Sequence, residues 1–381
     1  MHPYVTEQHE ELRAMVRSFV RSEIEPHASR WDREAAFPLG TVLAMGELGL
    51  FGISVPEPWG AGGDLTALCI AVEEIAWADQ SLAVTLEAGV GLGAAPIARF
   101  GTDAQRDRWL PDLCAGKALA AFGLTEPDGG SDARALRTTA TLDEDGEAWV
   151  IDGRKSFITN SGTPITSLVT VAARTGPEEI STIIVPAHAP GLEVEPAYRK
   201  LGWRASDTHG LAFTGCRVAA ENLLGERGRG LAQLLTVLDE GRVAIGALAV
   251  GVIRRCLDEA LAYATARRSF GRAIGSNQAV AFRIADLQVA LDSARALVYH
   301  AAWLRDRGKP FKREAAVAKL FSSEAAVEAT RSAAQVFGGA GFMEESPIAR
   351  HYRDAKVLEI GEGTSEVQRL VISRELGLPV R

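Results

Sequence analysis

The sequence is poor in the residues that bind metals or form disulfides. Its four cysteines lie far apart and form no CxxC pair, and its seven histidines form no HExxH motif or comparable cluster. Scattered cysteines of this kind indicate free, buried thiols in a reducing compartment rather than disulfides or metal ligands. We therefore expect neither disulfides nor a metal site.

The chain also lacks an excess of positive charge. Its formal net charge is −8 at pH 7, whereas binding to a nucleic acid needs a basic face. We therefore expect no nucleic acid as the main partner. A local basic pocket for a single nucleotide remains compatible with this charge.

Long hydrophobic runs are missing as well. The longest apolar run, residues 243–253, is interrupted by glycines and is too short to span a bilayer. The first residues, MHPYVTEQHEEL, lack the charged and then apolar order of a signal peptide. The sequence thus predicts a cytoplasmic protein without membrane insertion.

Three common catalytic or nucleotide-binding motifs are absent. No GxGxxG follows a predicted strand, which argues against a Rossmann site, and neither a GxSxG elbow nor a P-loop occurs.

The distribution of residue types predicts three successive units. Apolar residues recur at helical spacing up to about residue 115, and runs rich in Thr, Val and Ile separated by turns follow up to about residue 224. Long helical patterns then resume. We expect an α+β multidomain chain: an N-terminal α-helical domain (1–119), a middle antiparallel β domain, barrel or sandwich (120–228), and a C-terminal four-helix-bundle domain (229–381).

One short stretch near the C-terminus, LEIGEGTSEVQRLVISR at 358–374, places Glu362 between two glycines. The glycines permit unusual backbone angles and close approach of another molecule. A buried Glu362 without a neighbouring cation would have a raised pKa, which suits a proton acceptor. The alternative is a turn glutamate stabilised by the dipole of the following helix, and this stretch alone does not decide between the two.

Four further segments interrupt regular elements with glycine and polar residues. Each also has an ordinary structural interpretation: a polar turn, a strand end, basic residues at a helix C-terminus, and a glycine cap. Their chemistry suits an anion or a heterocycle, because they expose backbone N–H groups, hydroxyls, arginines and aromatic rings. The segments are AFGLTEPDGGSD at 121–132, KSFITNSG at 155–162, ARRSFGR at 266–272 and QVFGGAGF at 335–342.

Taken together, these segments resemble the acyl-CoA dehydrogenase family, of the short- or branched-chain type. The resemblance rests on LTEPDGGSD, SFITN, DEGR, ARRSFG, QVFGGAGF, RDAKVLEIGEGTSEVQR and ISRE, which occur in the family's order and spacing. It covers essentially the whole chain. The family's architecture is the helix, β and helix order that the sequence pattern predicts.

The resemblance implies FAD between the β domain and the C-terminal bundle. Phe122, Leu124 and Thr125 would border the flavin, with Ser131 nearby, and Phe157, where many relatives have tryptophan, would stack on it with Ile158 and Thr159. Part of the contact with the pyrophosphate and adenosine comes from a neighbouring subunit in the family, which implies a homodimer or a dimer of dimers (homotetramer). The residues implied for the second half of FAD are Arg267, Phe270, Gln278, Gln335, Val336, Phe337, Gly338 and Gly339, with Thr364, Ser365 and Glu366 also meeting the cofactor.

The resemblance also implies the reaction. An acyl-CoA thioester would lose its α-proton to Glu362 and its β-hydride to flavin N5, and electrons would pass to an electron-transfer flavoprotein. Some relatives place the base at the position of Gly241, which has no side chain here, and Glu240 lies about 100° away on the predicted helix. The expected substrate-binding residues are Ser131, Asp239, Glu240, Gly241, Arg242 and Gly363.

Several alternatives remain at the level of sequence. Gly361 stands where several relatives have tyrosine, which favours a branched or bulkier acyl group. The acyl group could instead be tethered to a carrier protein. A direct oxidase is disfavoured by chain length, a DNA-binding relative of the fold by the acidic charge, and an inactive scaffold by the intact Glu362 and flavin motifs.

Overall fold

The computed structural model describes residues 4–380. Its N-terminal part is helical, as predicted. The sequence pattern also predicts Asp103 as the N-cap of a helix, but in the structure that helix begins at Asp103 and Thr102 is its N-cap. Thr102 and Gln105 form a capping box, in which each side chain binds the other's backbone N–H. The helices are α1 Glu7–Phe19, α2 Ala28–Glu34, α3 Leu39–Glu47, α4 Leu65–Ala78, α5 Gln80–Glu87, α6 Ala95–Phe100 and α7 Asp103–Cys114.

The apolar pattern over residues 65–99 predicts one helix, but the structure breaks it twice. Asp79 has an extended backbone (φ −150°, ψ 117°) and caps α5 through its side chain. After Glu87 the chain forms a wider π-helical segment, Ala88–Ala94, before α6 begins. π-Helical segments often lie at functional sites because they re-aim side chains.

The helical stretch Gln80–Phe100 is long and apolar enough to cross a membrane by length and composition. In its most apolar window, 83% of the residues are buried inside the protein. The core of the protein thus uses these apolar side chains, as a central helix of a globular fold does.

Eight strands in the described part of the chain form one sheet, in the order β6-β7-β3-β2-β4-β5-β8, with β1 beside β4. Most neighbours are antiparallel, as predicted, but β1 runs parallel to β4 and places Phe122 opposite Thr170. The strands are β1 Leu119–Gly123, β2 Thr139–Leu142, β3 Ala148–Thr159, β4 Thr166–Arg174, β5 Ile180–Pro186, β6 Leu192–Val194, β7 Thr208–Ala219 and β8 Leu223–Leu224.

The C-terminal part is the predicted helix bundle. Its longest helix has 37 residues, which corresponds to about 55 Å, and the other bundle helices pack along it or along each other. This longest helix is followed by a two-stranded hairpin, β9 Arg268–Ser269 and β10 Arg272–Ala273. The helices are α8 Gly230–Ala266, α9 Gln278–Asp306, α10 Lys312–Phe337, α11 Pro347–Ala355 and α12 Ser365–Glu375.

The N-terminal helices and the bundle share one hydrophobic core, whereas the sheet has its own. All residues of α4 are buried, and its small side chains allow close contact with α8: a Cβ on Gly251 would overlap the backbone of Glu73. The two boundaries between the three domains remain predictions, because the first and third units are not separate in packing.

Buried ion pairs connect three helices within this core. Glu74 of α4 accepts hydrogen bonds from Arg13 and Arg17 of α1 and from Arg254 of α8, at 2.6–3.1 Å. Burial alone would raise the pKa of Glu74, but the bonds from Arg254 and Arg17 outweigh it and lower the pKa to about 2.

We expect Glu74→Gln to lower the free energy of unfolding by about 3 kcal/mol. The largely buried Arg13 and Arg254 lose their closest counter-charge and keep the longer contacts with Glu73, at 3.4 and 3.5 Å. Since the folded pKa is depressed from 4.5 to about 2, the stabilisation is complete above pH 4.5 and disappears as the pH falls towards 2. Denaturant unfolding from pH 7 to 3 measures both effects.

The matched control is Glu11→Gln, since Glu11 is exposed on α1. It should change stability by less than about 0.5 kcal/mol. Equal stability of the two variants at pH 7 would contradict the role of Glu74.

Candidate functional site

The loop before α12 holds Glu362 in a left-handed backbone conformation. Glu362 has φ 52° and Gly363 has φ 93°, and a side chain in this region costs about 1–3 kcal/mol unless its surroundings enforce it. Here Lys319 Nζ donates to the Gly363 carbonyl (2.7 Å), and Gln368 Nε2 donates to the same carbonyl (2.8 Å). Thr364 caps α12 by accepting from Val367 N–H. The loop is therefore fixed from two helices.

Gly241 provides the space for the Glu362 carboxyl group. A Cβ built on Gly241 would overlap Oε2 of Glu362, so that any side chain on α8 at this point would displace the carboxyl. The predicted pairing of an empty position 241 with a carboxylate at 362 is thus a direct contact in the structure. One turn of α8 around Gly241 also brings Asp239 and Arg242 together (2.6 Å).

Arg242 and Asp239 lie in surroundings that exclude much of the solvent. Arg242 is buried, and its Nε has no hydrogen-bond partner within residues 4–380. Burial raises the pKa of Asp239, although Arg242 opposes the shift. A buried donor without a partner favours binding of a polar ligand group at this point.

A second buried carboxyl group, Glu87, faces Glu362. Glu87 is fully buried at the end of α5. Burial raises its pKa well above the ordinary value, and the charge of Glu362 raises it further. Neither Glu87 oxygen nor Glu362 Oε2 has a well-aligned hydrogen bond to any described residue. Because two unpaired carboxylates cannot remain ionised side by side, Glu87 carries the proton.

The pKa of Glu362 is raised as well, but cations near it oppose the shift. Burial raises its pKa, but the neighbouring Glu87, Lys319 and Arg242 each lower it. Lys319 itself is buried, and this desolvation lowers its pKa to about 8. The environment therefore separates the two carboxyl groups into a protonated Glu87 and a basic Glu362, the arrangement expected of an acid and a base in one site.

The second group of predicted residues lies where strands β1 and β3 end, and we call this end of the sheet the sheet edge. Ser156 N–H donates to the Thr125 carbonyl (2.9 Å), which joins the segment after β1 to the end of β3. The buried Lys155 donates to Glu126 (2.7 Å) and to the Leu124 carbonyl (3.2 Å). These bonds hold the residues of the two motifs, at 122–125 and 157–159, next to each other.

Phe157 combines an unusual backbone conformation with an exposed ring, which suits contact with a ligand. It has φ 62°, an unusual value for an aromatic residue, and its side chain is 66% exposed. Its ring meets Tyr198 at 5.2 Å. The neighbouring Ile158 instead faces the core of the sheet, so that only its backbone can meet a ligand. Thr159 ends β3 half-buried, and Ser131 is exposed in the loop after β1.

Helices α5 and α8 connect the sheet edge with the Glu362 loop. Phe122 and Leu124 pack in one apolar cluster with Leu231 and Leu234 of the first turns of α8, the helix that carries Gly241. Asn160 Nδ2 donates to the carbonyl of a residue in α5, Thr85 (3.1 Å), two residues before Glu87. The two predicted parts are therefore connected through the same two helices.

The third predicted group lies at the far end of α8. Arg267 ends that helix, Phe270 is 100% exposed in the hairpin, and Phe337 stacks on Tyr263 (4.3 Å). Arg267 is 33 residues beyond Leu234, or about 50 Å along the helix. Gln278, Gln335, Gly338 and Gly339 are exposed near this end, whereas Val336 is buried. One dinucleotide cannot reach both ends of α8 within a single chain.

Sequence analysis missed three residues of the site: Glu87, Lys319 and Gln368. A usable signal existed for two of them, because Glu87 and Lys319 are single charges in the apolar stretches SLAVTLEAGVGLG and AAVAKLF. A lone charge in a buried helix needs a partner, so each of these residues indicated a buried polar contact. Gln368 gave no such signal, because a glutamine on a helix is usually a surface residue.

Comparisons with known proteins agree with this geometry. Family models described as acyl-CoA dehydrogenase N-terminal, middle and C-terminal domains match residues 6–117, 121–216 and 228–377. A probable acyl-CoA dehydrogenase of Bacillus subtilis, YngJ, is 46% identical over 98% of each chain. Butyryl-CoA dehydrogenase from Megasphaera elsdenii superposes with TM-score 0.95 at 37% identity, over 98% of each chain.

Glutaryl-CoA dehydrogenase from Mycobacterium smegmatis, solved in complex with FADH2, superposes with TM-score 0.93 at 29% identity and covers 98% of this chain and 95% of its own. The same fold thus extends over the full described length, and family models match its three successive parts. The chain belongs to the acyl-CoA dehydrogenase family of enzymes.

Proposed function

We propose that the protein is an FAD-dependent enzyme that oxidises an acyl-CoA thioester to the trans-2-enoyl-CoA, with Glu362 as the base. The observation that carries this proposal is the carboxyl of Glu362, whose Oε2 is buried against Gly241 in a left-handed loop. Burial raises the pKa of this group. A basic carboxylate in a dry site suits the removal of a weakly acidic α-proton.

The residues at the sheet edge and near α12 fit FAD. Phe157 offers an exposed ring for stacking, and Ser365 Oγ is buried without a hydrogen-bond partner among the described residues. Phe122, Leu124 and Thr125 form the wall beside the ring, and Thr364 and Glu366 begin α12 at the same site. When bound, FAD accepts a hydride from the β-carbon of the substrate.

The protein supplies orientation and proton transfer. Glu362 takes the α-proton as the double bond forms between the α- and β-carbons. Arg242 holds Asp239 and presents a buried N–H to the thioester side of the site. Glu87 remains protonated, and its proton favours the ionised form of Glu362.

We propose a homodimer or a dimer of dimers, which would bring together the predicted cofactor residues that lie at the two ends of α8 in one chain. A second chain would bring its Arg267, Phe270 and Gln335–Gly339 to the adenosine half of an FAD bound at the sheet edge of the first. Exposed apolar side chains at this end agree with burial in such an assembly: Phe270, Phe282, Val289 and Phe342.

For the acyl group we propose a short or branched chain. A Cβ on Gly361 would meet only one atom within 4 Å, the Val357 carbonyl at 3.5 Å, so that there is room beside the catalytic loop. The proposed electron acceptor is an electron-transfer flavoprotein, and the proposed location is the cytoplasm. Turnover only of carrier-protein thioesters would favour the carrier-tethered alternative.

We expect Glu362→Gln to bind FAD and fold normally, but to reduce anaerobic flavin bleaching by acyl-CoA by about 10²–10⁴-fold, because the α-proton has no acceptor. Stopped-flow absorbance of the flavin band measures the rate. Glu359→Gln, three residues earlier and paired with Lys356 at the surface, is the control and should bleach normally. Near-normal bleaching by Glu362→Gln would refute the assignment of the base.

The pH dependence tests the second carboxyl group. Bleaching should increase with pH as Glu362 loses its proton. Glu87→Leu removes the proton that favours ionised Glu362, so the pKa of the base should rise and the increasing limb should move to higher pH. Glu87→Gln keeps a donor and should move less. A shift of the Glu87→Leu limb to lower pH would mean that Glu87 is ionised in the native site.

We expect Arg267→Ala to lose FAD during extended dialysis, because the proposed pyrophosphate contact across the dimer disappears. Arg307→Ala is the matched control, since Arg307 is also an exposed arginine at the C-terminus of a long bundle helix. The absorbance ratio of flavin to protein measures retention. Equal retention in both variants would contradict this role of Arg267.

A further inference from the structure

A cavity of about 430 Å³ begins beside the two carboxyl groups and extends away from the sheet. Glu87 and Gly241 line one part of it, and both are neighbours of Glu362. Its volume is within the range of about 300–1,000 Å³ that is typical of ligand pockets. On the proposed function, this is the place for the part of the acyl chain beyond the reacting carbons.

Two helical stripes of small residues form opposite walls of this cavity. One stripe is Gly91, Ala95 and Ala98, at positions i, i+4 and i+7, and the other is Gly241 and Ala244, at i and i+3. Residues at this spacing share a helix face, so the two helices leave an open channel between them.

Charged side chains next to these two stripes also line the cavity. Arg99 follows Ala98 on α6, Glu240 precedes Gly241 on α8, and Arg305 of α9 completes the group. Glu240 accepts hydrogen bonds from both arginines. Glu240 is next to Gly241 in the chain, and both arginines contact its carboxylate. Since neighbouring Cα atoms are about 3.8 Å apart, this charged end lies within roughly 10 Å of Gly241.

The charged end of the cavity contains arginine N–H groups that make no hydrogen bond to a described residue. Two guanidinium groups share Glu240, and within residues 4–380 Arg99 makes one hydrogen bond to a protein group, so most of its five N–H groups are available. Asp306 binds the first N–H groups of α4 (2.9 and 3.1 Å) and also pairs with Arg305 at 3.4 Å. The spare donors of this charged end are therefore mainly those of Arg99. Glu57 is exposed in the loop at the mouth, where water screens its charge.

We propose that this cavity selects acyl thioesters whose distal end carries a carboxylate, which Arg99 binds together with Arg305. This inference rests on the proposed function and adds a substrate class to it. An apolar chain end would cover the free N–H groups of Arg99 without offering them an acceptor, whereas a carboxylate accepts hydrogen bonds from them.

The test compares ω-carboxyacyl-CoAs with plain acyl-CoAs of equal chain length in anaerobic flavin bleaching. We expect a higher kcat/KM for the carboxylated member at the length that reaches Arg99. Arg99→Ala should reduce the ratio of the two kcat/KM values by about 10–100-fold, and Arg99→Lys should reduce it less. Glu240→Gln removes the competing carboxylate and should raise the ratio.

Arg108→Ala is the control, because Arg108 is an exposed arginine on the next helix and outside the cavity lining. Calorimetric binding of both thioesters to Glu362→Gln enzyme, which does not turn them over, measures the same preference without catalysis. If plain acyl-CoAs bleach the flavin but Arg99→Ala leaves the ratio unchanged, this inference is wrong. If no acyl-CoA bleaches the flavin, the proposed function itself fails.

Discussion

The candidate site depends on the contact between Glu362 and the bare backbone of Gly241. A carboxyl group can lie against α8 only because no side chain is present there, and Glu362 reaches it only because the loop adopts a left-handed conformation. That conformation is unfavourable by itself, and the hydrogen bonds from Lys319 and Gln368 maintain it. The Glu362 carboxyl group is thus positioned by a combination of one absent side chain and two buried donors.

Nearby cations give the two buried, neighbouring carboxyl groups different properties. Both are removed from water, which raises both pKa values, but cations are close only to Glu362. The asymmetry arises from three helices that meet at this point: α5 carries Glu87, α8 carries Arg242 and α10 carries Lys319. Acid and base character therefore come from the packing of helices that are distant in sequence.

The sequence predicted the order of helical and β units, the type of nearly every long element and the position of Glu362, because these depend on local periodicity and on short motifs. It could not predict that residues 65–99 break at Asp79 and widen after Glu87, because both features depend on tertiary packing. It also missed Glu87 and Lys319. Their role follows from contacts between helices, which hydrophobic periodicity does not encode.

The core that the N-terminal helices share with the bundle limits how such a chain can acquire a new specificity. One wall of the acyl cavity belongs to the N-terminal segment and the other to α8, while the buried face of α4 packs on the same α8. A recombinant that joins the first segment of one relative to the bundle of another would combine two halves of one core. Specificity should therefore diverge through single replacements in the cavity walls, and exchange of whole segments would carry a cost in packing.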